Sequence, residues 1–122
     1  MPNPSYYTLL NNILIPASGY VYSIPIPTVS LEGECTLLVT SNYASTSGTL
    51  SIVYELSHDG VNWAQVESLS TLLTGFTKTS GPAADGKTLL YFSAPLSTYI
   101  RFKFTETGTS NPVQIISTLG IL

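Results

Sequence analysis

Charge is scarce in this chain. Of 122 residues, 4 are Lys or Arg and 7 are Asp or Glu, a charged fraction of 9%, where soluble domains carry roughly 25%. So few cations offer no basic footprint for displacing counterions, and no nucleic-acid partner is expected. Apolar runs are short as well: Ile13-Leu14-Ile15 stops at Pro16, far from the roughly 20 residues of a spanning helix, so no membrane partner is expected. The opening Met1-Pro2-Asn3-Pro4 lacks the basic start and apolar stretch of a secretory signal. Release by lysis is the expected alternative. One cysteine, Cys35, excludes an intrachain disulfide and a cysteine-based zinc cluster. It reads as an ordinary half-buried strand residue.

Catalytic signatures are missing too. His58 is the single histidine, and its neighbour Asp59 would point to the opposite face of a strand, so adjacency does not make a catalytic pair. There is no Gly-x-Ser-x-Gly elbow, phosphate loop or histidine-based metal motif. The carboxylates Glu32, Glu34, Glu55, Asp59, Glu67, Asp85 and Glu106 are scattered, and no two are paired for glycoside chemistry. The expectation is a protein without catalytic residues, bound metal or cofactor.

What the chain does have is alternation. In 49–57 one face carries Leu50, Ile52, Tyr54 and Leu56; in 99–105 the inward set is Ile100, Phe102 and Phe104, with Arg101 and Lys103 outside. Period two with one apolar face predicts antiparallel strands on a core. Further strands are expected near 6–15, 20–26, 34–41, 61–67, 72–79, 87–93 and 113–121, separated by turn clusters such as Ser45-Thr46-Ser47-Gly48 and Asp85-Gly86. Pro25 and Pro27 cannot donate to a ladder, which places 20–27 at a sheet edge. About eight or nine short strands predict an all-β antiparallel sandwich or jelly roll. The expected organisation is an extended N-terminal arm over 1–5 and a single sandwich domain over 6–122.

Tyr54-Glu-Leu-Ser-His-Asp-Gly-Val-Asn-Trp63 is the most informative stretch. Asp59-Gly60 between alternating runs signals a hairpin, since Gly tolerates positive φ. Trp63 is expected to pair across to the strand ending at Leu56 and to join one core with Leu50, Ile52, Tyr54, Leu56, Ile100, Phe102 and Phe104. A calcium or sugar site at this loop is the lesser reading, because calcium wants several oxygen ligands and only Asp59 is obviously placed. Tyrosine, eight in all, is favoured at interfaces. Tyr6, Tyr7, Tyr20 and Tyr22, with Pro2, Asn3 and Pro4, are the candidate partner-binding residues. The prolines hold the arm extended. Alternation lets one of Tyr6 and Tyr7 anchor to the domain while the other faces outward.

Ser47-Gly48-Thr49-Leu50, then Leu56 to Trp63, then Tyr99-Ile100-Arg101-Phe102, then Thr107-Gly108-Thr109-Ser110 resemble small structural proteins of tailed bacteriophages. The likeness is to β-sandwich capsid decoration (cement) proteins and covers roughly 45–122. The resemblance implies a non-enzymatic protein made in a host cytoplasm, binding a major capsid protein on the virion exterior and stabilising the shell, commonly as a homotrimer. Two alternatives stand beside it: a tail or fibre module binding glycans through Trp63 and exposed tyrosines, and an extracellular filament subunit.

Overall fold

The structure is a computed structural model that describes residues 5–27, 34–41, 48–66, 71–93 and 98–121. The described residues form ten strands: β1 (Ser5–Ile15), β2 (Tyr20–Tyr22), β3 (Ile26–Pro27), β4 (Glu34–Ser41), β5 (Leu50–Ser57), β6 (Ala64–Gln65), β7 (Thr71–Phe76), β8 (Lys87–Ser93), β9 (Tyr99–Glu106) and β10 (Val113–Ile121). They form two antiparallel sheets. Sheet A runs β1-β10-β4-β8; sheet B runs β2-β9-β5-β6, with β3 also pairing β9 and β7 also pairing β5. The all-β sandwich expected from the alternation is what the chain adopts.

The core lies between the inner faces. Ile15, Leu37, Val39, Ile115 and Leu119 of sheet A meet Leu50, Ile52, Ile100, Phe102 and Phe104 of sheet B, all fully buried. Burying each such side chain is worth about 1.5–3 kcal/mol relative to exposure. Phe92 of β8 ties the sheets together: its ring stacks on Tyr54 at 5.9 Å and meets Phe102 edge-on at 6.0 Å. Cys35 is also enclosed, more deeply than its sequence context suggested.

The prolines act as expected. β2 and β3 both sit on the outer edge of β9. Between them, the Ser23 N–H donates to the Phe102 carbonyl at 2.8 Å. The Phe102 N–H then donates to Ser23 Oγ at 2.9 Å. The hydroxyl stands in for the backbone carbonyl of a normal ladder, so the chain can leave the sheet towards Pro25 without stranding a buried donor. The expected 20–26 strand is therefore two short pieces. Similarly, the expected 61–67 strand shrinks to Ala64–Gln65. The strand near the N-terminus begins at Ser5, which pairs with Ile121, one residue into the expected arm; Pro2, Asn3 and Pro4 lie outside the described residues.

Trp63 is the clear correction. Leu56 pairs with Ala64 and Glu55 with Gln65, which leaves 58–62 as a five-residue loop (from these registers, with Trp63 opposite Ser57) rather than a two-residue turn. In that register Trp63 shares the parity of Gln65 and Glu55 and faces outward. It is half-buried on the outside of sheet B and absent from the core cluster, while Leu56 packs against the core from a partly buried position. The other six expected core residues are buried.

Candidate functional site

The 58–62 loop is built by two side chains. Ser57 Oγ accepts the N–H groups of Asp59 (3.3 Å) and Gly60 (2.9 Å) and donates to Asp59 Oδ1 at 3.0 Å. Asp59 Oδ1 also accepts the N–H groups of Val61 and Asn62, both at 2.8 Å, and Asp59 Oδ2 accepts Asn62 Nδ2 at 2.7 Å. Gly60 completes the turn at φ +78°, a conformation that suits glycine. The Asn62 and Val61 N–H groups, followed by the side chains of Asn62 and Ser57, hold the Asp59 carboxyl far below the usual carboxylate range. The carboxylate is thus ionised but occupied with its own loop. His58 is exposed beside it. A groove of about 400 Å³ runs along this hairpin, lined by Leu56, His58, Asn62, Ala64, Gln65 and Val66.

The outer face of sheet B carries a cation–aromatic stack. Arg101 and Glu55 are direct cross-strand partners, and both Nε and Nη2 of Arg101 lie 2.7 Å from Glu55 Oε1. The guanidinium sits 3.9 Å from the Tyr22 ring centroid and 4.4 Å from that of Trp63. Lys103 Nζ lies 4.5 Å from the Tyr20 ring. This is why an outward Trp63 is stable: its face is covered by a cation that the sheet holds in place. A sugar stacking on Trp63 or Tyr22 would find one face of each ring already taken.

Glu106 ends β9 with 1% exposure. Its Oε1 accepts the N–H groups of Ser18 (3.0 Å) and Thr109 (2.9 Å), and its Oε2 those of Thr49 (2.8 Å) and Gly108 (2.6 Å). Burial by itself would raise this carboxyl, but four backbone donors outweigh it and hold the group below the usual range. The side chain is a clamp on three separate turns, not a chemical group open to a ligand. No reading of the sequence singled it out. Two of its donors lie 88 and 57 residues away, and the local Glu106-x-Gly108-Thr109 spacing was the only available signal.

The outer face of sheet A is different in kind. The registers align Tyr6–Gly120–Thr36–Tyr91, then Thr8–Thr118–Leu38–Leu89, then Ile116–Thr40–Lys87 across the sheet. Tyr6, Tyr91, Leu89 and Leu38 are 71%, 66%, 63% and 42% exposed. Lys87 is the single charge in these three rows. Gly120 leaves room where a Cβ would stand 2.6 Å from Thr36 Oγ1 and 3.1 Å from the Tyr6 ring, so the tyrosine lies across the glycine and flattens the face.

Solved structures that share this architecture include three from different settings. The SPBc2 prophage-derived protein YomS has a TM-score of 0.56 at 11% identity, covering 98% of this chain and 95% of that one. VP2 of the infectious bursal disease virus subviral particle has a TM-score of 0.58 at 8% identity over 98% of this chain, which spans about a third, 32%, of VP2. A family 35 carbohydrate-binding module from Clostridium thermocellum has a TM-score of 0.50 at 10% identity, covering 98% of both chains. The likeness is one of fold. No protein-family profile matches the sequence, and no curated protein matches it.

The candidate partner-binding tyrosines do not converge. Tyr6 is exposed on the outside of sheet A, while its neighbour Tyr7 turns inward against the core, the alternation expected of them. Tyr20 and Tyr22 lie on the outside of sheet B, edge-to-face at 5.5 Å. The two sets occupy opposite sides of the sandwich. Leu38 and Leu89, which were not among the expected site residues, complete the exposed patch around Tyr6.

Proposed function

We propose that this chain is a non-enzymatic structural protein of a phage virion that binds the outside of the assembled capsid as a homo-oligomer and stabilises it. The observation that carries this reading is the outer face of sheet A: broad, threonine-lined, studded with exposed Tyr6, Leu38, Leu89 and Tyr91, and nearly devoid of charge. Apolar and aromatic side chains clustered on one face mark a protein interaction surface. A charge-poor protein remains soluble more readily when such a face is covered. The fold, shared with a prophage-derived protein and with the VP2 of a subviral particle, agrees with the reading as fold-level analogy. Binding only the assembled lattice would stabilise it by linkage, and copies engaging several subunits at once would multiply the effect.

The test is to purify particles of the phage that encodes the chain and image them by electron cryo-microscopy. The chain is expected as density on the head exterior, with the sheet A face against the shell. Leu38→Lys combined with Leu89→Lys, both surface changes, is expected to abolish binding to chain-depleted heads while leaving the domain folded. Particles lacking the chain, or carrying it on the tail alone, would overturn the proposal. The groove beside His58 and Asn62 favours glycan binding as a second reading, for which the same tail location would be the expected result.

A further inference from the structure

Two of the chain's four Lys and Arg residues, Arg101 and Lys103, stand on the outer face of sheet B, and their surroundings differ. Arg101 is neutralised by Glu55 directly across the strand pair and flanked by the rings of Tyr22 and Trp63. Lys103 has no such acid. Its cross-strand neighbours are Tyr22 on β2 and Val53 on β5, and among the described residues it makes no ion pair. It has rings instead: Nζ lies 4.5 Å from the Tyr20 centroid and 5.8 Å from that of Tyr22.

Rings contact an ammonium from one side and leave it N–H donors for an anion. Tyr20 and Tyr22 stand edge to face at 5.5 Å, and Tyr20 keeps 56% of its surface exposed. Thr105 lies opposite Tyr20, and Ser51 opposite Thr105, so alternation puts two hydroxyl side chains in the row beside the cation. The backbone fixes the arrangement in advance. β2 pairs with β9 from Tyr20 to Tyr22, and Ser23 then bonds to both backbone groups of Phe102.

We propose that Lys103, Tyr20 and Tyr22 bind an acidic oligosaccharide, one uronate carboxylate on the Lys103 ammonium and an adjoining sugar packed against the exposed surface of Tyr20. Each part selects for this ligand. The uncompensated cation takes a carboxylate through charge-assisted hydrogen bonds. Tyrosine joins apolar area to a polar tip, which suits a sugar ring that is apolar on its face and hydroxylated at its rim. Thr105 and Ser51 can both donate to and accept from those hydroxyls. A protein partner would instead call for apolar anchors around the charge, and half-buried Val53 is the one aliphatic residue in these two rows. The site lies at the β2 end of sheet B, whereas the groove beside His58 borders β6 at the other end. It is on the opposite side of the sandwich from Tyr6, Leu38 and Leu89, and stays open when sheet A is covered. It does not depend on a virion role, and a chain missing from particles would leave it intact.

Exposed ion pairs are weak and screened by salt, so a dissociation constant on the order of a millimolar is expected for a trisaccharide. NMR titration of isotope-labelled protein with trigalacturonate should shift the amides of Tyr20, Tyr22 and Lys103 together, to saturation. Methyl-esterified trigalacturonate, the same sugar without its charges, should bind at least about fivefold more weakly, and Lys103→Gln should weaken the acidic sugar equally. Lys87→Gln, on the other sheet, should leave the affinity unchanged, and the spectra themselves show whether each variant is folded. A tri-glutamate peptide should bind at least about fivefold more weakly than the sugar. No saturable shift up to about 10 mM sugar, shifts centred on His58 and Asn62, undiminished affinity in Lys103→Gln, or equal binding of tri-glutamate would each overturn the site.

Discussion

Replacing Glu106 by Gln changes one atom and removes a charge. The carboxylate accepts four backbone N–H groups, two on each oxygen. The amide keeps one acceptor oxygen and places an NH2 where the other stood, so two of the four donors face a donor. At about 1–3 kcal/mol for each stranded donor, the loss is about 2–6 kcal/mol. These bonds are only part-buried, which favours the lower half, about 2–4 kcal/mol. Urea unfolding monitored by Trp63 fluorescence reads this as a lower midpoint with unchanged slope. The pH dependence gives a second readout. Because the folded-state carboxyl is held below its ordinary range, its contribution is complete above that range and is lost as pH falls through the depressed value. The gap between wild type and Glu106→Gln should therefore be widest near neutrality and shrink on acidification. A variant within about 0.5 kcal/mol of wild type at neutral pH, or a gap constant down to strongly acidic pH, would refute the clamp.

Arg101→Met leaves Glu55 without its ion pair and uncovers the rings of Tyr22 and Trp63; a red shift of Trp63 emission and a loss of about 1–3 kcal/mol are expected, checked by fluorescence and urea unfolding. Trp63→Ala, which removes the fluorophore and is therefore followed by circular dichroism in urea, should cost about 1–2 kcal/mol, the scale of a half-exposed cation–π partner, well below the roughly 3–5 kcal/mol of a core aromatic such as Phe102→Ala. His58→Ala should stay within about 0.5 kcal/mol of wild type by the same unfolding assay. Asp59→Ala removes the acceptor that shapes the 58–62 loop, and hydrogen exchange at Val61 and Asn62 should accelerate while the β5 amides remain protected.

The strands were legible where alternation was clean. Ile100, Phe102 and Phe104 inward with Arg101 and Lys103 outward is a period-two pattern that only one face of a sheet satisfies, and β9 follows it throughout. The edge position of 20–27 was legible for a different reason: a proline lacks a donor wherever it stands. Trp63 was misplaced because side-chain parity after a turn depends on how many residues the loop holds. Asp59-Gly60 reads as a two-residue turn until the reach of the Ser57 and Asp59 side chains is known. The exposed patch on sheet A was only half legible. Leu38 sits in Leu37-Leu38-Val39 and Leu89 in Leu89-Leu90-Tyr91-Phe92, unbroken apolar runs in which the sequence does not say which members face out. Glu106 shows a similar limit, since its donors are assembled by the fold and not by proximity along the chain.

β1 lies beside β10, with Ser5 opposite Ile121 and Ile15 opposite Val113. Among the described strands, the first in chain order is thus bonded along the sheet only to the tenth. Until β10 exists, Leu9, Leu10 and Ile15, all buried in the finished domain, have no sheet to complete. Closing so long a loop is paid for in entropy before its contacts return anything. The domain is therefore built to fold late and as a whole, after β10 has been made. A nascent chain stalled before β10 would present an incomplete sheet A, with an unpaired β1 open to aggregation or to capture by a neighbouring chain.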